Sequence, residues 1–138
     1  MERIPPQSIL AEQVVLGSML QNSICACNIR TMLSEDDFYR EAHRTIFGVI
    51  IHLVEHGKIA DLITVADYLR TKNMLDDTGG IAYLTALYKI FYSEKRFWAC
   101  ARIVAEKSWQ RRQLIELEVI RMHLMVIADR LLTERDEN

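Results

Sequence analysis

Apolar residues return along this chain at intervals of three and four, and seldom of two, so the pattern predicts helices rather than strands. The first helix is expected to start at Ser8, an N-cap following a proline pair, and to carry Leu16, Met19 and Leu20 on its apolar side. Gln21-Asn22-Ser23 interrupts it. A short second helix gathers Cys25, Ile29, Met32 and Leu33. Ser34-x-x-Asp37 has the form of a capping box and leads through Phe38 and Tyr39 into a third helix. There Ala42, Ile46, Val49, Ile50 and Leu53 form the clearest stripe, and Gly57 stands where a C-cap glycine belongs. A fourth helix is expected from Thr64-x-x-Asp67, with Val65, Tyr68 and Leu69 inward. After the loop Asp76 to Gly80, a fifth carries Leu84, Leu87, Tyr88 and Phe91.

From the cap at Ser93 to about Leu132 no residue breaks a helix. Those 40 residues would reach about 60 Å if continuous. Phe97, Ala101 and Val104 suit packing back onto the preceding helices. Farther on, Leu117, Ile120, Leu124, Ile127 and Leu131 step by 3, 4, 3, 4, the seam of a heptad pattern. Such a face should pack on a partner helix. The expected fold is all-α, with a compact orthogonal helical head over residues 1–92 and a long amphipathic arm over 93–138. The tail 133–138 reads as frayed or cut.

Composition supports this. The 138 residues suit one domain, half are apolar, and both prolines stand at positions 5 and 6. Three cysteines are an odd set and no apolar leader is visible, which points to reduced thiols in the cytoplasm. The longest apolar run, Ile46 to Val54, is too short for a bilayer. Net charge is −2, unevenly spread: residues 1–92 carry −3, while 93–112 carry +4 from Lys95, Arg96, Arg102, Lys107, Arg111 and Arg112 against Glu94 and Glu106.

Candidate chemistry is thin. No G-x-x-x-x-G-K-[ST] occurs, so a phosphate cradle is missing from the sequence and neither ATP nor magnesium is expected on it. His52 to His56 fits H-x-x-E-H, but on the last turn of a helix these histidines are better read as solvated groups at its negative end. Cys25-x-Cys27 lacks zinc-finger spacing. Glu35-Asp36-Asp37 and Asp76-Asp77 read as a cap and a loop. Ile63 to Arg70 looks like the first helix of a helix-turn-helix, yet the next residues are acidic and glycine-rich, so phosphate would be repelled. The basic run 95–112, interleaved with Phe97, Trp98 and Trp109, could bind single strands by charge and stacking. Against this, Arg102 can pair with Glu106 along the helix, and a protein-contacting face is favoured.

Five segments occur together in order: Pro5-Pro6-Gln7-Ser8-Ile9-Leu10-Ala11-Glu12, Asp37-Phe38-Tyr39-Arg40-Glu41-Ala42-His43, Asp61-Leu62-Ile63-Thr64-Val65, Gly79-Gly80-Ile81-Ala82-Tyr83-Leu84, and Ala101-Arg102-Ile103-Val104-Ala105-Glu106-Lys107. Over roughly residues 4 to 115 the chain resembles the N-terminal domain of the DnaB-type bacterial replicative helicase. The resemblance implies a helical head with a helical-hairpin extension, domains that pair and build the collar of a hexamer, and docking of primase and loader. It implies that ATP, magnesium and DNA belong to a motor domain absent from this chain. The matched positions, Glu12, His43, Tyr83, Arg111 and Arg112 among them, read as fold and interface residues, and none as catalytic. The expected homo-oligomer and partner interface is Phe97, Trp98, Trp109, Leu117, Ile120, Leu124, Ile127 and Leu131. Residues 90–98 are more aromatic and basic than the family's linker, and a second hairpin arm is not matched. The alternative is a stand-alone regulator binding nucleic acid through Lys95, Arg96, Arg102, Arg111 and Arg112.

Overall fold

Six α-helices and two single 3-10 turns make up the computed structural model, which describes residues 4–137; Asn138, the last of the tail, lies outside them. Among the described residues there is no strand. Helix α1, Ile9–Gln21, opens at Ser8, whose hydroxyl accepts from the Ala11 amide at 3.3 Å. Asn22 closes α1 and caps α2, Ser23–Ile29, by accepting from the Ile24 amide. The second helix is therefore shorter than its apolar spacing implies. Leu33 reaches the core from the chain beyond its end, with Met32 packed beside it.

The Ser34–Asp37 pair caps the 3-10 turn Glu35–Asp37 rather than the third helix: the Ser34 amide donates to Asp37 Oδ2 at 2.8 Å. Extended Phe38 and Arg40 follow, and α3 runs Glu41–Glu55. Its stripe packs inward as expected, with Ile46, Val49, Ile50 and Leu53 buried and Ala42 half-buried. Gly57, at φ +69°, ends it; the Lys58 amide donates back to the Leu53 carbonyl at 2.9 Å.

Helix α4, Leu62–Thr71, starts two residues before the expected Thr64, because Asp61 is the cap. Asp61 accepts from the Thr64 amide at 2.9 Å, and the Thr64 hydroxyl accepts from the Asp61 amide at 2.8 Å. Helix α5, Gly80–Tyr88, buries Leu84 and Leu87. Tyr88 is exposed and Phe91 lies beyond the helix, also exposed, so the expected inward stripe ends at Leu87.

Helix α6, Glu94–Glu137, is unbroken for 44 residues, about 66 Å. The Ser93 hydroxyl caps it, accepting from the Arg96 amide. Phe97, Ala101, Val104 and Ser108 are buried against the preceding helices, and α1 is its main neighbour. The globular body thus takes in the first turns of α6 beyond residue 92. From Leu114 onward every residue whose exposure is described is exposed.

Candidate assembly interface

Two polar clusters fix the root of the protruding arm. Asp37 is the centre of the first. Its Oδ1 accepts from the Ser108 hydroxyl at 2.7 Å and from Arg112 at 3.1 Å. Arg111 donates to the Asp37 carbonyl at 2.6 Å and the Pro6 carbonyl at 2.8 Å, and lies 5.5 Å over the Tyr39 ring. Burial lowers the Arg111 pKa, and the carboxylates of Glu12 and Asp37 push it back up. One turn of α6 is therefore bonded to both the chain before α1 and the turn before α3.

The second cluster lies under it. Glu12 and His43 are fully buried. His43 Nδ1 is 2.7 Å from Glu12 Oε1, and Nε2 is 2.5 Å from the Tyr83 hydroxyl. Glu12 Oε2 accepts from the Tyr39 amide at 2.9 Å. Tyr83 also accepts from Gln13 at 3.1 Å. A tautomer with its proton on Nδ1 satisfies this chain of bonds; it is assigned from the network. Every group in it is spoken for by another side chain or the backbone, which makes it a joint between α1, α3 and α5 and leaves no acid or base aimed at solvent.

Beyond the root the arm is bare. Leu117, Ile120, Leu124, Ile127 and Leu131, the expected seam, are all more than half exposed. The arm also carries a second, unanticipated stripe: Ile115, Val119, Met122 and Val126 step by 4, 3, 4 on the roughly opposite side at 100° per residue, and are exposed too. Its signal lies in the same spacing, but two interleaved stripes blur each other. Twelve large apolar side chains between Leu114 and Leu132 are 46% to 64% exposed. Together they present on the order of 1,000 Å² of apolar surface, divided between two sides of the rod, so each side alone is comparable with the largest patch of an ordinary monomer, roughly 300–600 Å².

The other anticipated residues divide. Phe97 is a correction: it is fully buried, edge-on to Trp98 at 4.9 Å, and serves the chain's own core rather than a partner. Trp98 is half-buried and Trp109 is 56% exposed. Of the basic set, Lys95, Arg96 and Arg102 are exposed, whereas Arg111 and Arg112 are bonded to the Asp37 turn. Two cations of the anticipated nucleic-acid face are thus already used. Among the described residues Arg102 makes no ion pair with Glu106; the arm's own pair is Arg121 with Glu118 at 2.6 Å. The His52 and His56 rings lie 4.2 Å apart, tilted at 40° to each other, and no group of three or more His, Cys, Asp or Glu among the described residues is placed to hold a metal ion. Nor is any helix among them long and apolar enough to cross a membrane.

This geometry defines an all-helical head-and-arm domain, in which polar side chains lock a helix root and apolar ones crowd its far half. Residues 4–106 match the family described as the DnaB-like helicase N terminal domain, and the chain belongs to that family. It is 40% identical over 111 residues to the replicative DNA helicase DnaB of Geobacillus stearothermophilus, a match covering 80% of this chain and 24% of that protein. With DnaB of Pasteurella multocida it shares 42% over 105 residues, 76% of this chain and 22% of that one. The crystal structure of the N-terminal domain of DnaB helicase from Mycobacterium tuberculosis superposes with a TM-score of 0.86 at 34% identity, covering 91% of this chain and 89% of that one. A DnaB-like replicative helicase solved with its interactions with primase gives 0.73 at 27% identity, over 86% of this chain and 28% of that one. The chain spans about a quarter of the length of the curated relatives it matches. It corresponds to their N-terminal domain and does not include the ATPase motor.

Proposed function

We propose that this chain is the non-catalytic assembly domain of a hexameric replicative DNA helicase, supporting self-association and the docking of primase and loader in the cytoplasm. The bare arm carries this reading. Its two stripes taken together offer an apolar surface of the order of the roughly 800 Å² per partner of a standard stable interface, presented on two sides of the rod. A second copy fits the charges beside the seam. With Leu117 and Ile120 at a and d, Glu116 and Arg130 both fall at g. An antiparallel pair sets Glu116 near Arg130 of the other copy but Arg121 near Arg121; a parallel pair sets Glu116 near Arg121 but Arg130 near Arg135, so the flanking charges admit a second copy in either sense. The related helicase solved with its primase interactions supports primase as a partner. ATP, magnesium and DNA are assigned to the motor portion of the full-length helicase.

Sedimentation velocity tests the proposal. The intact chain should run well above its monomer mass of 16.1 kDa. Leu124→Glu with Ile127→Glu should shift it toward monomer, with the head's helicity unchanged. A strict monomer for the unsubstituted chain at about 50 µM would overturn the assembly role. Tight single-strand binding that weakens steeply with salt would instead favour the regulator acting through Lys95, Arg96 and Arg102.

A further inference from the structure

On the head, α4, α5 and the loop after α3 enclose an open groove of about 840 Å³. Three isoleucines line it: Ile59 is 71% exposed, Ile63 77% and Ile81 48%. None is needed by the core, and none belongs to the arm. Buried Leu53 and Ala66 also border it. Its charged residues are Lys58, Arg70 and Lys72 against Asp67, a local excess of two positive charges on a chain whose net charge is −2. Among the described residues none of these three cations has an ion-pair partner, and Lys72 instead rests 5.8 Å over the Tyr68 ring.

Apolar anchors beside unpaired cations specify an occupant that is apolar on one stripe and acidic beside it. With no strand among the described residues, an extended peptide would find no sheet edge for its backbone, while a helix satisfies its own. A nucleic acid would meet three cations but would leave the isoleucines against phosphate. The arm of a second copy, with six carboxylates against Arg121, Arg130 and Arg135 beyond Gln113, is the competing occupant, but those arginines lie among its carboxylates and would meet the groove's cations, which a uniformly acidic helix avoids. We infer that this groove docks an acidic amphipathic helix from a partner protein. The inference rests on the reading of the head as a docking body and is independent of self-association through the arm.

The test is methyl NMR on the intact chain labelled at isoleucine, titrated with a synthetic helix carrying Leu at i, i+4 and i+7 flanked by Glu. The methyls of Ile59, Ile63 and Ile81 should shift, and those of Ile120 and Ile127 should not. Ile63 is too exposed for Ile63→Glu to harm the fold, and this change should weaken binding about tenfold or more. Lys58→Glu with Arg70→Glu should do the same, and a Lys-flanked version of the helix should fail to bind. Sedimentation of the same samples reports the arm separately, so a failed groove and a failed assembly role are told apart. Shifts confined to the arm, equal binding of the Lys-flanked helix, groove shifts that grow with protein concentration alone, or displacement of the helix by a single-stranded oligonucleotide would each overturn the proposal.

Discussion

Glu12 sits where a carboxylate is tolerable only with partners, and it has them in His43 and the Tyr39 amide. Removing it leaves His43 and that amide buried without an acceptor. Glu12→Ala should therefore cost about 3 kcal/mol of stability in urea denaturation, more than a typical surface change. Two glycines make a sharper contrast, since both lie inside helices where alanine is intrinsically better by about 1 kcal/mol. A Cβ on Gly17 would overlap the Leu87 backbone carbonyl, which cannot move without prying α1 from α5. Gly17→Ala should destabilise by about 2 kcal/mol. A Cβ on Gly48 would meet only Glu35 Oε2 at 2.5 Å, the free end of an exposed side chain. Gly48→Ala should be neutral or stabilising by about 0.5 kcal/mol. The thiols give a pH dependence. Burial pushes the Cys25 thiol up, partly offset by its bond to the Tyr92 hydroxyl, and burial raises Cys100 as well. Both stay protonated in the folded state after the unfolded chain has begun to ionise. Stability should thus hold below the ordinary thiol range and fall as the pH rises through and beyond it, read as a declining urea midpoint.

Helices were legible in the sequence wherever a stripe and a cap agreed. Ser8, Gly57 and Ser93 all cap as their chemistry suggests. Boundaries slipped where two caps competed. Asp61 and Thr64 can each begin a helix, and the reciprocal bonds between them give the cap to the earlier residue. The Ser34–Asp37 box is real, but it caps a three-residue turn, and Asp37 gives its other oxygen to Ser108 and Arg112, 71 and 75 positions along, a tertiary role no local pattern reveals. Phe97 could be read both ways: its spacing with Ala101 and Val104 set it against the head, while its place in the basic, aromatic run set it in the interface, and the approach of α1 to α6 buries it on the head side. The groove on the head was invisible too, because Ile59 and Ile63, four positions apart, meet Ile81 only where α5 packs beside α4.

At the scale of the molecule, burial stops near Gln113 while the helix continues to Glu137. A chain ended after Gln113 should keep the whole core. It should fold cooperatively with nearly the same urea midpoint and sediment as a monomer, because the exposed stripes leave with the arm. Phosphate-release assays on the intact chain with ATP should stay at background, since no P-loop sequence is present. The resemblance to DnaB-type N-terminal domains was readable from motifs scattered over about a hundred residues. The arm's double stripe was not, since only the bared surface of the finished fold shows how much of it is left over.

The continuity of α6 has a mechanical meaning. With no proline and no glycine after Gly80, the rod has no built-in joint between its tip and the Asp37 clamp. A sideways load applied near Leu131 would reach Arg111 and Arg112 as torque, multiplied by the length of the lever, and would press on the loop that opens α3. Neighbours gripping the far end would in that way set the tilt of the globule at the near one.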